Sequence, residues 1–193
     1  MTASSPYYMP LPAFTAKGLL PDDVYPATET ELKDRCVDSF PDSKTRANIF
    51  GGFVRYRQAL AGYGLNLTQW VDGSFVDSAR VNPEDVDVVN FAHADEVNRL
   101  PPAMRVGVTN TLLNARESTQ PVYSTHSFLE VRFPQGHAFA AAAEAQRVYW
   151  RRWFANPQDY THYPVKRPAP QRGRKGIVQM TIGNPTLAPA IAA

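Results

Sequence analysis

The sequence is poor in the residues that staple a chain or ligate soft metals. It has one cysteine, Cys36, which excludes an intramolecular disulfide framework and a cysteine-based zinc site. Its four histidines are scattered, with no His-x-His or His-x-x-x-His pair to hold a transition metal. No stretch reaches the ~18 consecutive apolar residues of a membrane span, and MTASSPYYMPLPAF lacks a basic segment followed by an apolar one. No internal repeat and no domain linker interrupts the chain. These absences set the expectation of a soluble protein in a reducing cytoplasm, with no membrane partner.

What is present is enough for one domain: 193 residues can bury a real core. The formal net charge of +2 hides an uneven distribution. Residues 22–38 carry Asp22, Asp23, Glu29, Glu31, Asp34 and Asp38 against Lys33 and Arg35. Residues 147–175 carry Arg147, Arg151, Arg152, Lys166, Arg167, Arg172, Arg174 and Lys175 against Asp159. A basic C-terminal third suits a polyanion such as a nucleoside triphosphate or a nucleic acid. A solvated charged surface accounts for the same pattern equally well.

Residues 1–26, rich in proline and aromatics, read as an extended arm lying across the domain or across a second copy or partner protein. Thr28 and Glu31 have the spacing of a capping box and open a helix to about Phe40. A second helix, to about Tyr63, buries Ile49, Phe53, Tyr56, Leu60 and Tyr63 on one face. Two apolar runs, Leu65–Val71 and Val86–Phe91, flank a polar loop that opens with Gly73-Ser74. Met104–Arg116 reads as a short helix and Val122–Phe133 as a third strand. On that strand Ser124, His126, Phe128, Glu130 and Arg132 share the more polar face. Ala138–Phe154 is a strong helix, whose Tyr149–Phe154 aromatic stripe suits a core or dimer contact better than a base-stacking platform. A proline-rich loop, a last strand at Lys175–Ile182 and a tail at 184–193 complete the chain. The expectation is α+β: one domain over 27–183, a small mixed sheet of three or four strands, and helices packed on one side.

The chemistry concentrates in Asp85 and Asp87. Strand geometry points residues i and i+2 the same way, so these carboxylates face one side while Val86 and Val88 face a core. Two carboxylates about 5 Å apart repel by roughly 3 kcal/mol at an effective dielectric near 20. A divalent cation offsets this, and oxygen ligands suit Mg²⁺ or Mn²⁺.

Gly73-Ser74 followed by Asp85-Val86-Asp87 resembles the signature of the DNA polymerase β-like nucleotidyltransferase superfamily, in particular its small stand-alone bacterial members. The resemblance lies in residues 66–91 and departs from the pattern at Asp72, where an apolar residue is commoner. It implies a polymerase β-like core and cations held by Asp85, Asp87 and a third group, Glu130 or alternatively His126. It further implies a triphosphate contacted by Gly73 and Ser74, with Ser78, Arg80 and Lys175 as additional candidates. The implied activity is metal-dependent, template-independent transfer of a nucleoside monophosphate from ATP or another triphosphate to a hydroxyl acceptor. Its product would be a nucleotide or oligonucleotide signal in bacterial antiviral defence. The alternatives are toxin–antitoxin nucleotidylation of protein or tRNA, and a nucleotide- or RNA-binding module without turnover.

Overall fold

Local sequence decides where the helices begin. In the computed structural model, which describes residues 10–159 and 167–183, Thr28 and Glu31 form the capping box reciprocally. The Glu31 backbone N–H donates to the Thr28 hydroxyl, and the Thr28 N–H donates to the Glu31 carboxylate. Helix α1 (Glu29–Lys33) grows from this cap and widens into a π-helical turn at Asp34–Asp38. Helix α2 (Arg46–Ala61) buries Ile49, Phe53, Tyr56 and Leu60, as their three- and four-residue spacing requires. Four more helices follow: α3 (Ala94–Asn98), α4 (Pro102–Val108), α5 (Arg116–Tyr123) and α6 (Ala140–Ala155).

The strands are β1 (Val24–Pro26), β2 (Leu67–Asp72), β3 (Val86–His93), β4 (Thr125–Arg132), β5 (Gln158–Asp159), β6 (Arg167–Pro168) and β7 (Ile177–Ile182). Five of them form one mixed sheet in the order β1-β7-β2-β3-β4, and β5 and β6 pair separately. Strand β2 runs antiparallel to both β3 and β7, whereas β3–β4 and β1–β7 are parallel. The α+β class with a mixed sheet is as expected.

Other expectations need correction, first the size of the sheet, which has five strands rather than three or four because β1, from the segment read as an arm, adds an edge. The helices do not lie on one side of the sheet only. Val86, Val88 and Ala92 of β3 face the larger core with α2, while Val89 and Phe91 join Trp70, Ile177 and Phe154 of α6 in a second core. A strand that is apolar on both faces is a strand covered on both faces, and VDVVNFAH has that character. The third strand also starts later than its sequence suggests. Val122 and Tyr123 end α5, Ser124 takes a left-handed φ of 50° as its cap, and β4 begins at Thr125. A long-range contact overrides the β-propensity of Val122 and Tyr123: a Cβ on Gly52 of α2 would stand 2.3 Å from the Tyr123 carbonyl oxygen. Only glycine lets the end of α5 dock there.

The segment read as an arm belongs to the domain over its described part. Leu11, Leu19 and Leu20 are buried, and β1 extends the sheet edge. Residues 1–9 of that arm and the tail 184–193 lie outside the described residues. Among the described residues, no helix is long and apolar enough to cross a membrane.

Candidate functional site

The strand order brings three polar side chains into a row at one end of the sheet. Asp72, the last residue of β2, is paired in register with Asp87 on β3, and Asp87 is paired with His126 on β4. Asp85 precedes β3 and, two residues from Asp87, shares its direction. The imidazole sits between the two carboxylates, with Nε2 3.0 Å from Asp85 Oδ2 and Nδ1 3.3 Å from Asp87 Oδ1. One ligand atom from each of Asp85, Asp87 and His126 lies within 4.8 Å of the others. Two carboxylate oxygens and an imidazole nitrogen are a donor set that fits one divalent cation, and the imidazole favours Mn²⁺ over Mg²⁺.

The two halves of the Gly-Ser and Asp-x-Asp pattern meet directly. Gly73 adopts φ +81°, and a Cβ there would lie 2.2 Å from Asp87 Oδ2. Glycine is therefore required twice, for the backbone and for the space the carboxylate occupies. The chain then makes a 3₁₀ turn over Gly73–Val76. Lys175, almost wholly buried, donates to the Gly73 carbonyl at 3.0 Å. Its Nζ also stands 2.6 Å from Asp72 Oδ1, an ion pair whose alignment is poor for a hydrogen bond to that oxygen. Asp72 is fully buried, and that burial pushes its carboxyl well above the usual carboxylate range against the opposing charge of Lys175. Arg116, at the start of α5, donates from Nε to His126 Nε2 at 3.2 Å.

These groups open onto a cavity of about 500 Å³, within the usual range for small-molecule sites. Asp72, Gly73, Ser74, Asp87, His126 and Lys175 form its polar wall, and Phe128, Trp153 and Phe154 form an apolar one.

The structure does not bring every sequence candidate here. Glu130 stands four residues beyond His126 on β4, roughly 13 Å away at the rise of a strand, and accepts a 2.5 Å hydrogen bond from Trp150 Nε1. The third place beside the aspartates belongs to His126, the alternative. Ser78 and Arg80 do not line the cavity: the Ser78 N–H donates to the Gly18 carbonyl at 2.9 Å, and the Arg80 carbonyl accepts from Arg46 at 2.7 Å. Sequence reasoning missed Asp72 and Arg116. Asp72 had a signal, an acid closing an otherwise apolar run; Arg116 had none, because only the fold carries it to His126.

The fold and site together define an α+β domain with an acid-rich cleft at one sheet end. The chain matches the model of DUF6932, a family of unknown function, over residues 12–181, and it belongs to that family. No curated protein and no solved structure matches the chain significantly.

Proposed function

We propose that the cleft binds a nucleoside triphosphate with a divalent cation and transfers its nucleotidyl group to a hydroxyl acceptor, on a polymerase β-like core. The observation that carries this reading is the meeting of the Gly73 turn with Asp87 on the wall of one cavity that His126 also lines, with Asp85 grouped behind them. Gly73 and Ser74 receive the phosphates, Lys175 braces the turn from behind through the Gly73 carbonyl, and Phe128 with Phe154 offers an apolar wall to the base. A cation held by Asp85, Asp87 and His126 would supply charge neutralisation on the phosphates and a lowered pKa for the acceptor hydroxyl. In the transfer the acceptor oxygen bonds to the α-phosphorus while the bond to the bridging oxygen breaks. Pyrophosphate leaves with that electron pair, and the hydroxyl proton passes to water. The acceptor belongs either to a nucleotide or oligonucleotide signal of the kind used in defence, or to a macromolecule such as tRNA or protein.

A second reading has its own observation. With His126 in the third place the group holds one carboxylate fewer than the resembled pattern, which suits a module that binds nucleotide and cation without turnover. One assay separates the two. Purified protein is incubated with each labelled triphosphate and Mg²⁺ or Mn²⁺, without template, beside Asp85→Asn/Asp87→Asn. The expected result is a pyrophosphate-releasing product that the double variant does not make. Nucleotide binding with no release, even with RNA or protein acceptors added, would overturn turnover in favour of the binding module.

A further inference from the structure

Helix α6 divides its aromatic residues between two tasks. Trp150 and Phe154 pack into the second core, while Tyr149 and Trp153 remain 48% and 57% exposed. The exposed pair is stacked, with ring centroids 5.9 Å apart and planes at 25°, and Trp153 also lines the acidic cavity. Arg152, exposed, follows Tyr149 by three residues and so lies beside it on the helix surface. Arg152 in turn lines a second pocket of about 310 Å³ together with Arg147, Arg151 and Arg174. One continuous surface therefore runs from the cavity, over two stacked aromatic rings, into an arginine pocket.

That pocket is only partly neutralised from within. A single carboxylate, Asp22, serves both Arg151 and Arg174 at 2.5 Å each, and Glu144 pairs with Arg147. Four guanidinium groups stand against the carboxylates of Asp22, Asp23 and Glu144, so positive charge is in excess.

We infer that the exposed face of α6 binds a single-stranded nucleic acid, its bases stacked on Trp153 and Tyr149 and its phosphates on Arg152 and the arginine pocket. The inference rests on the reading above and deepens it: the strand is the acceptor, and its terminal hydroxyl enters the cavity past Trp153. Aromatic platforms interleaved with arginine are the chemistry that holds single strands without regard to sequence. A second copy of this chain is disfavoured as the occupant, because a symmetric contact through this face would set arginines against arginines.

The test is fluorescence anisotropy of a labelled single-stranded RNA of about 12 nucleotides, with chelator present and no triphosphate, so that binding is read apart from turnover. Wild type is expected to bind, and Trp153→Ala to weaken binding roughly tenfold. Arg152→Ala should lower the slope of log affinity against log salt by roughly 0.7. A duplex of the same sequence should bind more weakly, because paired bases cannot stack on the rings. Both side chains are exposed, so thermal melting of the variants should match wild type. Absence of wild-type binding, both variants binding as wild type, or equal affinity for the duplex would overturn the inference. So would a change in the sedimentation of the free protein in either variant, which would assign the face to contact between copies. Strand binding without nucleotide turnover would leave this inference standing and remove the proposed reaction; turnover without strand binding would do the reverse.

Discussion

Arg46 and the Asp85–Asp87–His126 group both set charged side chains in or at the edge of the core, yet they are built in opposite ways. The Arg46 guanidinium, fully buried, donates to the carbonyls of Cys36, Phe75, Asp77, Arg80 and Val81 at 2.6 to 3.2 Å. It also lies 3.8 Å from the centre of the Phe40 ring. Four of those five carbonyls belong to the loop that follows Gly73-Ser74, so Arg46 fixes that loop through its backbone. The site at the end of the sheet gathers carboxylates instead. Asp72, Asp85 and Asp87 lie close together, with Lys175 Nζ against Asp72 and the His126 imidazole between Asp85 and Asp87. Among the described residues, Lys175 Nζ, 2.6 Å from Oδ1, is the one group set against the buried Asp72 carboxylate, and no well-aligned hydrogen bond reaches either of its oxygens. A buried polar group completed by backbone makes a rigid scaffold; one left short of partners beside a cavity is poised for a ligand.

The sharpest way to break this comparison is to remove each side of it. Arg46→Met should lower stability by more than about 3 kcal/mol in urea unfolding, because it strands five carbonyls, those of Cys36, Phe75 and Asp77 in buried bonds. A loss below about 1 kcal/mol would show that Arg46 does not hold the loop. Asp85→Asn/Asp87→Asn, measured the same way, should change stability by no more than about 1 kcal/mol, since it relieves repulsion.

Gly73→Ala lies between the two regions. Its positive φ and the contact with Asp87 Oδ2 should cost about 1–3 kcal/mol and weaken Mn²⁺ binding as the carboxylate is pushed aside. Full retention of metal affinity would mean that Asp87 has room the structure does not give it. Next in size, His126→Ala should weaken Mn²⁺ binding about tenfold or more, with Glu130→Gln close to wild type by calorimetric titration. The reverse order would restore Glu130 as the ligand. The smallest effect concerns Cys36, whose thiol burial pushes up to about 12. It should react with a thiol reagent only as fast as the domain opens; rapid labelling of the native protein would show that the core beneath Arg46 is loose.

Local signals in the sequence proved readable where local chemistry decides the outcome. The Thr28–Glu31 cap, the buried stripe of α2 and the shared direction of Asp85 and Asp87 all follow from spacings of two to four residues. The third group beside the aspartates did not follow, because Glu130 and His126 lie on the same face of one strand. Only the parallel register of β3 and β4, which sets Asp87 beside His126, separates them. Lys175 was readable as a candidate but not in its role, since its pairing with Asp72 spans β7 and β2. The boundary between α5 and β4 was hidden for a similar reason: Gly52, some seventy residues upstream, makes the contact that ends the helix.

The measurement that bears most directly on the site is Mn²⁺ binding followed by electron paramagnetic resonance, with wild type and Asp85→Asn/Asp87→Asn at equal concentration. The expected result is a bound Mn²⁺ population in wild type, enlarged by added nucleoside triphosphate and absent from the folded double variant. Equal binding by the two proteins, or none by either with triphosphate present, would contradict the assignment of these carboxylates to a cation and nucleotide site.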